Sequence, residues 1–156
     1  MILLGSSSNP PKSWLAAPDA RSEQLPEERG DQPNVKMRSL RVLIVEDEFF
    51  ISLYIKDLVT TLGHAVIAIA VSADQAVSIA EREKPDVVLM DIRLIGSRDG
   101  IDAADEIRRR FGIASIFITA NTDPQTRQRA LAVQPLGILE KPLTEQRLKL
   151  ELSRIT

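Results

Sequence analysis

Four short apolar runs rich in branched residues constrain this chain more than any other feature: Val42 to Val45, Val87 to Met90, Ile116 to Ile118, and Ile138 to Leu139. A helical pattern separates each run from the next, the arrangement expected of strands buried on both faces of a parallel sheet. The polar residues at the end of each run are equally informative. The first run ends in Glu46, Asp47 and Glu48, the second in Asp91, the third in Thr119 and the fourth in Lys141. In an open parallel sheet the site lies beyond the carboxyl ends of the strands, so these side chains are expected to share one cleft despite sequence gaps of tens of residues.

From Arg41 onward the pattern alternates strand and helix five times, which predicts a doubly wound α/β sheet with right-handed crossovers. The first helix is predicted from about Phe49 to Leu62, with Ile51, Tyr54, Ile55, Leu58, Val59 and Leu62 on one face and Gly63 at its C-terminal turn. A second strand falls within His64 to Val71. Ser72 and Gln75 have the spacing of a capping box for a helix that ends near Glu83, before Pro85. Asp86 to Asp91 is the third strand. Ile101, Ala104 and Ile107 mark a third helix, closed by Gly112. Ser115 to Thr119 comes next as a strand, and Asp123 with Pro124 opens a short helix toward Leu131. The last pair is a strand from Gly137 to Glu140 and a helix capped by Thr144, with Leu143 and Leu148 spaced as a hydrophobic staple.

The 156 residues leave room for one domain, and a hydrophobic share of 44% suffices for its core. A formal net charge of −2 argues against a broad electrostatic footprint for nucleic acid or an anionic membrane. There are no cysteines, which excludes disulfide frameworks, thiolate metal sites and thiol catalysis. The apolar opening from Met1 to Leu4 meets Gly5 and three serines, too short for a signal-peptide core or a membrane span. A cytoplasmic protein is therefore expected. Residues 1–36 hold five of the nine prolines and no sustained apolar period, which predicts a disordered extension ahead of one folded domain over 37–156, with Met37 as an alternative start.

Carboxylates gathered as Glu46, Asp47 and Asp91 would repel one another unless a hard cation neutralised them, and an all-oxygen set points to Mg²⁺. Such a cation also shields an incoming phosphoryl group from the carboxylates, which makes Asp91 the candidate nucleophile. Lys141 and the Thr119 hydroxyl are candidates to hold phosphoryl oxygens. Glu48 reads equally well as a cap for the first helix, His64 as a turn residue, and Arg108 to Arg110 as a solvated helix end.

Taken together, Val42-Leu-Ile-Val-Glu-Asp-Glu48, Asp86-Val-Val-Leu-Met-Asp91, Ile116-Phe-Ile-Thr-Ala120 and Lys141-Pro142 resemble the receiver domain of two-component response regulators. The resemblance implies a flavodoxin-like five-stranded sheet of order 2-1-3-4-5 with five helices. It implies that Asp91 takes a phosphoryl group from a sensor histidine kinase or a histidine phosphotransfer protein. Asp47 and Asp91 would ligate Mg²⁺ by side chain, Arg93 by its backbone carbonyl and Glu46 through water. Thr119, the Ala120 amide and Lys141 would hold the phosphoryl oxygens, and the Lys141–Pro142 peptide would be cis. With the chain ending at Thr156, the expectation is a stand-alone phosphoacceptor rather than an enzyme, acting on a downstream protein that the sequence does not name. A homodimer is compatible with this reading. Neither nucleic acid nor a membrane is expected as partner.

The chain departs from the family pattern in the loop after Asp91, where Ile95 and Asp99 stand at the usual proline and glycine positions and the glycine comes one later, at Gly100. Ile138 replaces the usual aromatic of the fifth strand. The signal is therefore expected to leave through Ala120, Asn121, Thr122 and the fourth helix, with Arg93 and Asn121 setting the lifetime of the acyl phosphate. Two rivals are weaker. A phosphatase of the haloacid dehalogenase type wants an aspartate where Arg93 stands, and a pseudo-receiver would not need the complete acidic set with Thr119 and Lys141.

Overall fold

The computed structural model describes residues 38–120 and 123–156. The expected extension over residues 1–36, together with Met37, Asn121 and Thr122, lies outside the described residues. Ten elements alternate along the chain: β1 (Arg41–Val45), α1 (Phe49–Thr61), β2 (Ala65–Ala70), α2 (Ala73–Glu83), β3 (Val87–Asp91), α3 (Gly100–Phe111), β4 (Ser115–Thr119), α4 (Pro124–Ala132), β5 (Gly137–Glu140) and α5 (Glu145–Leu152). The strands form one parallel sheet in the order β2-β1-β3-β4-β5. This is the flavodoxin-like doubly wound fold, and the strand and helix boundaries agree with the sequence reading to within a residue or two.

Alternation along the strands divides the core between the two faces of the sheet. Val42, Ile44, Val87, Leu89, Ile116, Ile118 and Leu139 pack with Ile55, Leu58 and Val59 of α1 and Leu148 and Leu152 of α5. Leu43, Val45, Val88, Met90 and Phe117 pack on the opposite side with residues of α2 and α3, including Ala76, Val77, Ala104 and Ile107. Because both faces are covered, each strand reads as an unbroken apolar run rather than an alternating one. A fully buried branched side chain contributes about 1.5–3 kcal/mol, and all five residues of central β3 are buried.

The register sets the level of the strand ends. Val45 pairs with Met90, so Glu46 stands level with Asp91. Asp91 pairs with Ile118 and Thr119 with Glu140, so each further strand carries its polar end about one residue beyond the last.

Several local expectations are corrected. Ser72 accepts a hydrogen bond from the Gln75 N–H at 3.3 Å, but the Gln75 side chain accepts from the Val71 N–H at 2.8 Å, one residue before the cap, so the expected capping box is only half closed. The complete box belongs to α3, where Asp99 accepts from the Asp102 N–H and Asp102 from the Asp99 N–H. Glu48 occupies the N-cap position of α1, but its side chain makes no capping bond. The buried stripe of α1 is Ser52, Ile55, Leu58 and Val59, while Tyr54 is half exposed. His64 is buried, and its Nδ1 accepts from the Leu40 N–H at 3.2 Å. The arginines closing α3 are each paired: Arg108 donates to the Gln134 carbonyl, Arg109 to Asp105, and Arg110 to Glu81 and Glu106. Helix α4 is the least anchored of the helices, with Ala130 its one buried residue among those described.

Candidate functional site

Asp91 ends β3 and is 6% exposed. Its backbone is clasped by the start of α3: the Gly100 N–H donates to the Ile92 carbonyl at 2.8 Å, and a Cβ at position 100 would stand 1.9 Å from the Asp91 carbonyl oxygen. Only a residue with no side chain lets the helix approach that closely. At its shifted place in the loop, Gly100 is where α3 meets the Asp91 backbone.

Glu46 follows β1 and is 1% exposed. Its N–H donates to the Ala70 carbonyl at 2.9 Å, fixing it against β2. One carboxylate oxygen from each of Glu46, Asp47 and Asp91 lies within 4.8 Å of the other two. Lys141 is fixed from the other side of the sheet, its N–H donating to the Thr119 carbonyl at 2.8 Å. The Lys141 ammonium then donates to Glu46 Oε2 at 2.8 Å and to Asp91 Oδ2 at 3.2 Å. Asp91 Oδ1 accepts from the Arg93 N–H at 3.3 Å.

The structure therefore brings Glu46, Asp47, Asp91 and Lys141 together, with Arg93 touching Asp91 through its backbone. Thr119 is buried at the end of β4, but its hydroxyl donates to the Ala120 carbonyl at 2.9 Å rather than to Asp91. The Lys141–Pro142 peptide is cis.

Burial is the largest influence on both inner carboxyls and raises their pKa. For Asp91 it outweighs the nearby Lys141 and the Arg93 N–H, with the Asp47 charge adding to it. For Glu46 it outweighs the bonds from Lys141 and from the Glu48 N–H, with Asp91 adding to it. On Lys141 burial is again the strongest single influence and pulls the pKa down, but the hydrogen bond to Glu46 and the charges of Asp91 and Glu46 together hold it above its ordinary value. Three carboxylates beside one ammonium, which bonds only Glu46 and Asp91, leave an uncompensated negative charge in a half-closed pocket. The donor set is all oxygen, hard, and close enough for a small divalent cation such as Mg²⁺.

Sequence reasoning missed two features. The Tyr54 hydroxyl donates to the Leu143 carbonyl at 2.8 Å, tying α1 to the segment after Pro142. Beside this bond lies a cavity of about 340 Å³, lined by apolar side chains from α1 and by the Lys141 stem. Phe49 and Phe50 stand exposed at the start of α1, their rings edge to face at 5.5 Å. Position relative to the acidic triplet was the available signal for the two phenylalanines; the Tyr54 contact spans 89 residues and left none.

Comparison with known proteins places this geometry. Residues 42–153 match the family model of the response regulator receiver domain. The chain is 36% identical over 102 residues to the phyllosphere-induced regulator PhyR of Methylorubrum extorquens, covering 65% of this chain and 38% of that protein. It is 31% identical over 117 residues to the chemotaxis protein CheY of Thermotoga maritima, covering 74% and 97% of the two chains. Among solved structures, the signal receiver domain of a modulated diguanylate cyclase from Desulfovibrio desulfuricans superposes with a TM-score of 0.72 at 32% identity, covering 76% of this chain and 94% of that one. The chain spans well under half of PhyR, and half of the transcriptional regulatory protein PdtaR of Mycobacterium tuberculosis. Among the described residues, no helix is long and apolar enough to cross a membrane. The matched span carries both the fold and the acidic pocket, and on that ground the chain belongs to the response regulator receiver domain family.

Proposed function

We propose that Asp91 is the phosphoacceptor of a signalling protein, taking its phosphoryl group from a histidine kinase or a histidine phosphotransfer protein and passing the signal on by protein contact. The observation that carries this reading is the meeting of Asp91 with Asp47, Glu46 and Lys141 at the ends of three different strands. An Asp91 carboxylate oxygen forms the new bond to phosphorus while the phosphorus–nitrogen bond of the donor breaks. The donor imidazole keeps that electron pair. Asp47 and Asp91 would hold Mg²⁺ by their side chains, with the Arg93 carbonyl and a water on Glu46 completing the protein's share. A cation held by these residues would neutralise the carboxylates and supply charge against the phosphoryl oxygens.

The chain's own groups supply the rest. Lys141 offers an ammonium already beside Asp91. For Thr119 to hold a phosphoryl oxygen, its hydroxyl must leave the Ala120 carbonyl, a rotation that couples the chemistry to the segment after β4. The Ala120 amide is the third donor. Exposed Phe49 and Phe50, next in sequence to the acidic triplet, favour a protein rather than a small metabolite as the natural donor. The haloacid dehalogenase alternative lacks its second carboxylate, since Arg93 occupies that place and is exposed.

Intact-mass spectrometry with acetyl phosphate as donor tests the proposal. A single phosphoryl adduct should form with Mg²⁺, fail in the presence of a chelator and be absent from Asp91→Asn. An adduct in Asp91→Asn at wild-type yield would overturn the assignment.

A further inference from the structure

The Glu46 carboxylate is completely enclosed, with none of its side chain exposed, whereas the Lys141 side chain beside it keeps 17%. Both carboxylate oxygens are taken: Oε1 accepts from the Glu48 N–H at 3.1 Å and Oε2 from the Lys141 ammonium at 2.8 Å. The Lys141 bond to Asp91 is the longer of the two, at 3.2 Å. None of these bonds goes to Asp47.

Topology makes the Glu46–Lys141 contact a spanning one. Lys141 leaves the end of β5 and Glu46 the end of β1, and β3 and β4 lie between them. Neighbouring strands stand about 4.8 Å apart, so two extended side chains must reach across roughly 14 Å of sheet to meet over Asp91. An aspartate at position 46 would fall short by one carbon–carbon bond, about 1.5 Å. The backbones at both ends are pinned, by Ala70 and by Thr119, so the main chain does not readily make up the difference.

We propose that Glu46 is the positioning residue for Lys141, using its length and its fixed carboxylate to hold the ammonium over Asp91, with the direct hold on a divalent cation falling to Asp47 and Asp91. The inference rests on the reading of Asp91 as phosphoacceptor and adds a role for a residue that the resemblance assigned to metal through water. An ammonium has three donors in a fixed tripod. With one N–H held by Glu46, the other two are aimed, and one already points at Asp91. When Asp91 becomes an acyl phosphate its own charge leaves the carboxylate oxygens, but the bond to Glu46 keeps Lys141 in place to meet the phosphoryl oxygens. Glu46 thereby serves before and after transfer alike.

Two substitutions separate reach from charge. Glu46→Asp keeps the charge and loses the reach; Glu46→Gln keeps the reach and one acceptor oxygen for Lys141, gives up the acceptor that meets the Glu48 N–H, and loses the charge. Three measurements on the full chain read them: the Lys141 ammonium resonance by nitrogen-15 NMR without metal, the Mg²⁺ affinity by calorimetry, and the rate of phosphorylation by acetyl phosphate. Positioning predicts that the slowly exchanging ammonium signal of wild type survives in Glu46→Gln and is lost in Glu46→Asp. Phosphorylation should then be about tenfold slower in Glu46→Asp than in Glu46→Gln, while Mg²⁺ affinity in both stays well above that of Asp47→Asn. The reverse order, with Glu46→Asp the faster and Glu46→Gln as poor in metal as Asp47→Asn, would show that Glu46 serves the cation and would overturn the inference. Wild type left unphosphorylated under these conditions would instead defeat the phosphoacceptor reading, and the ammonium signal would still decide the positioning claim by itself.

Discussion

At the amino end of the sheet Asp86 receives the Arg41 N–H on one oxygen and the Arg38 guanidinium on the other, each at 2.7 Å, and His64 receives the Leu40 N–H. At the carboxyl end Glu46, Asp47 and Asp91 each bring a carboxylate oxygen within 4.8 Å of the others, and the Lys141 ammonium beside them bonds only Glu46 and Asp91. The same strands run between these ends and the same two apolar layers cover them, so packing does not distinguish one from the other. Charge compensation does. The amino end spends its polar groups on fixing the chain, with the buried Ser115 hydroxyl as an unpartnered exception. The carboxyl end holds uncompensated negative charge in place, which costs stability and favours binding a cation.

The largest effect is expected where the fold forces the carboxyl end into shape. Gly100→Ala pushes a methyl group against the Asp91 carbonyl and should destabilise the domain by about 3 kcal/mol in urea unfolding. A loss below about 0.5 kcal/mol would mean that the α3 start does not clasp Asp91.

Neutralising one carboxylate at each end should then give opposite signs. Asp86→Ala removes two charge-assisted bonds and should destabilise by about 2 kcal/mol. Asp91→Asn removes a charge that burial opposes and should stabilise the metal-free protein at neutral pH, a smaller effect of opposite sign. Equal signs would break the comparison.

The pH dependence without metal is smaller and also divides by end. Asp91 and Glu46 have folded pKa values raised above 3.8 and 4.5, so the stability they contribute is complete below those values and is lost as pH rises through the folded ones. His64 has its folded pKa lowered from 6.5 by burial, so its contribution is complete above 6.5 and is lost as pH falls through the folded value. Saturating Mg²⁺ should remove the first decline and leave the second. Unfolding midpoints across pH 4 to 8, in wild type and in His64→Gln, separate the two arms.

The division between the ends also marks what could be read from the sequence. Strand ends and their polar residues were legible because branched runs in a parallel sheet leave little choice of partner layer, and the level of Glu46 with Asp91 follows once β1 pairs with β3. The pairing of Glu46 with Lys141 was not legible, because 95 residues and two intervening strands separate them. The α3 capping box was missed because its third position is Asp102, a shorter carboxylate than the usual Glu or Gln. Tyr54 was assigned to the core from helical spacing, but its hydroxyl finds the Leu143 carbonyl at the edge of the layer instead. The proposed exit of the signal through Asn121 and Thr122 lies outside the described residues; the thin anchoring of α4, through Ala130 alone among its described residues, is the structural feature that favours it.

The central claim is that the charge-crowded carboxyl end exists to make Asp91 accept a phosphoryl group, and chemical trapping of the acyl phosphate tests it most directly. After incubation with acetyl phosphate and Mg²⁺, borohydride reduction converts a phosphorylated aspartate to homoserine, which peptide mass spectrometry locates. The account predicts homoserine at position 91 and at neither Asp47 nor Asp86. Homoserine at Asp47, or an acid-stable adduct on a serine or threonine with Asp91 unmodified, would contradict it.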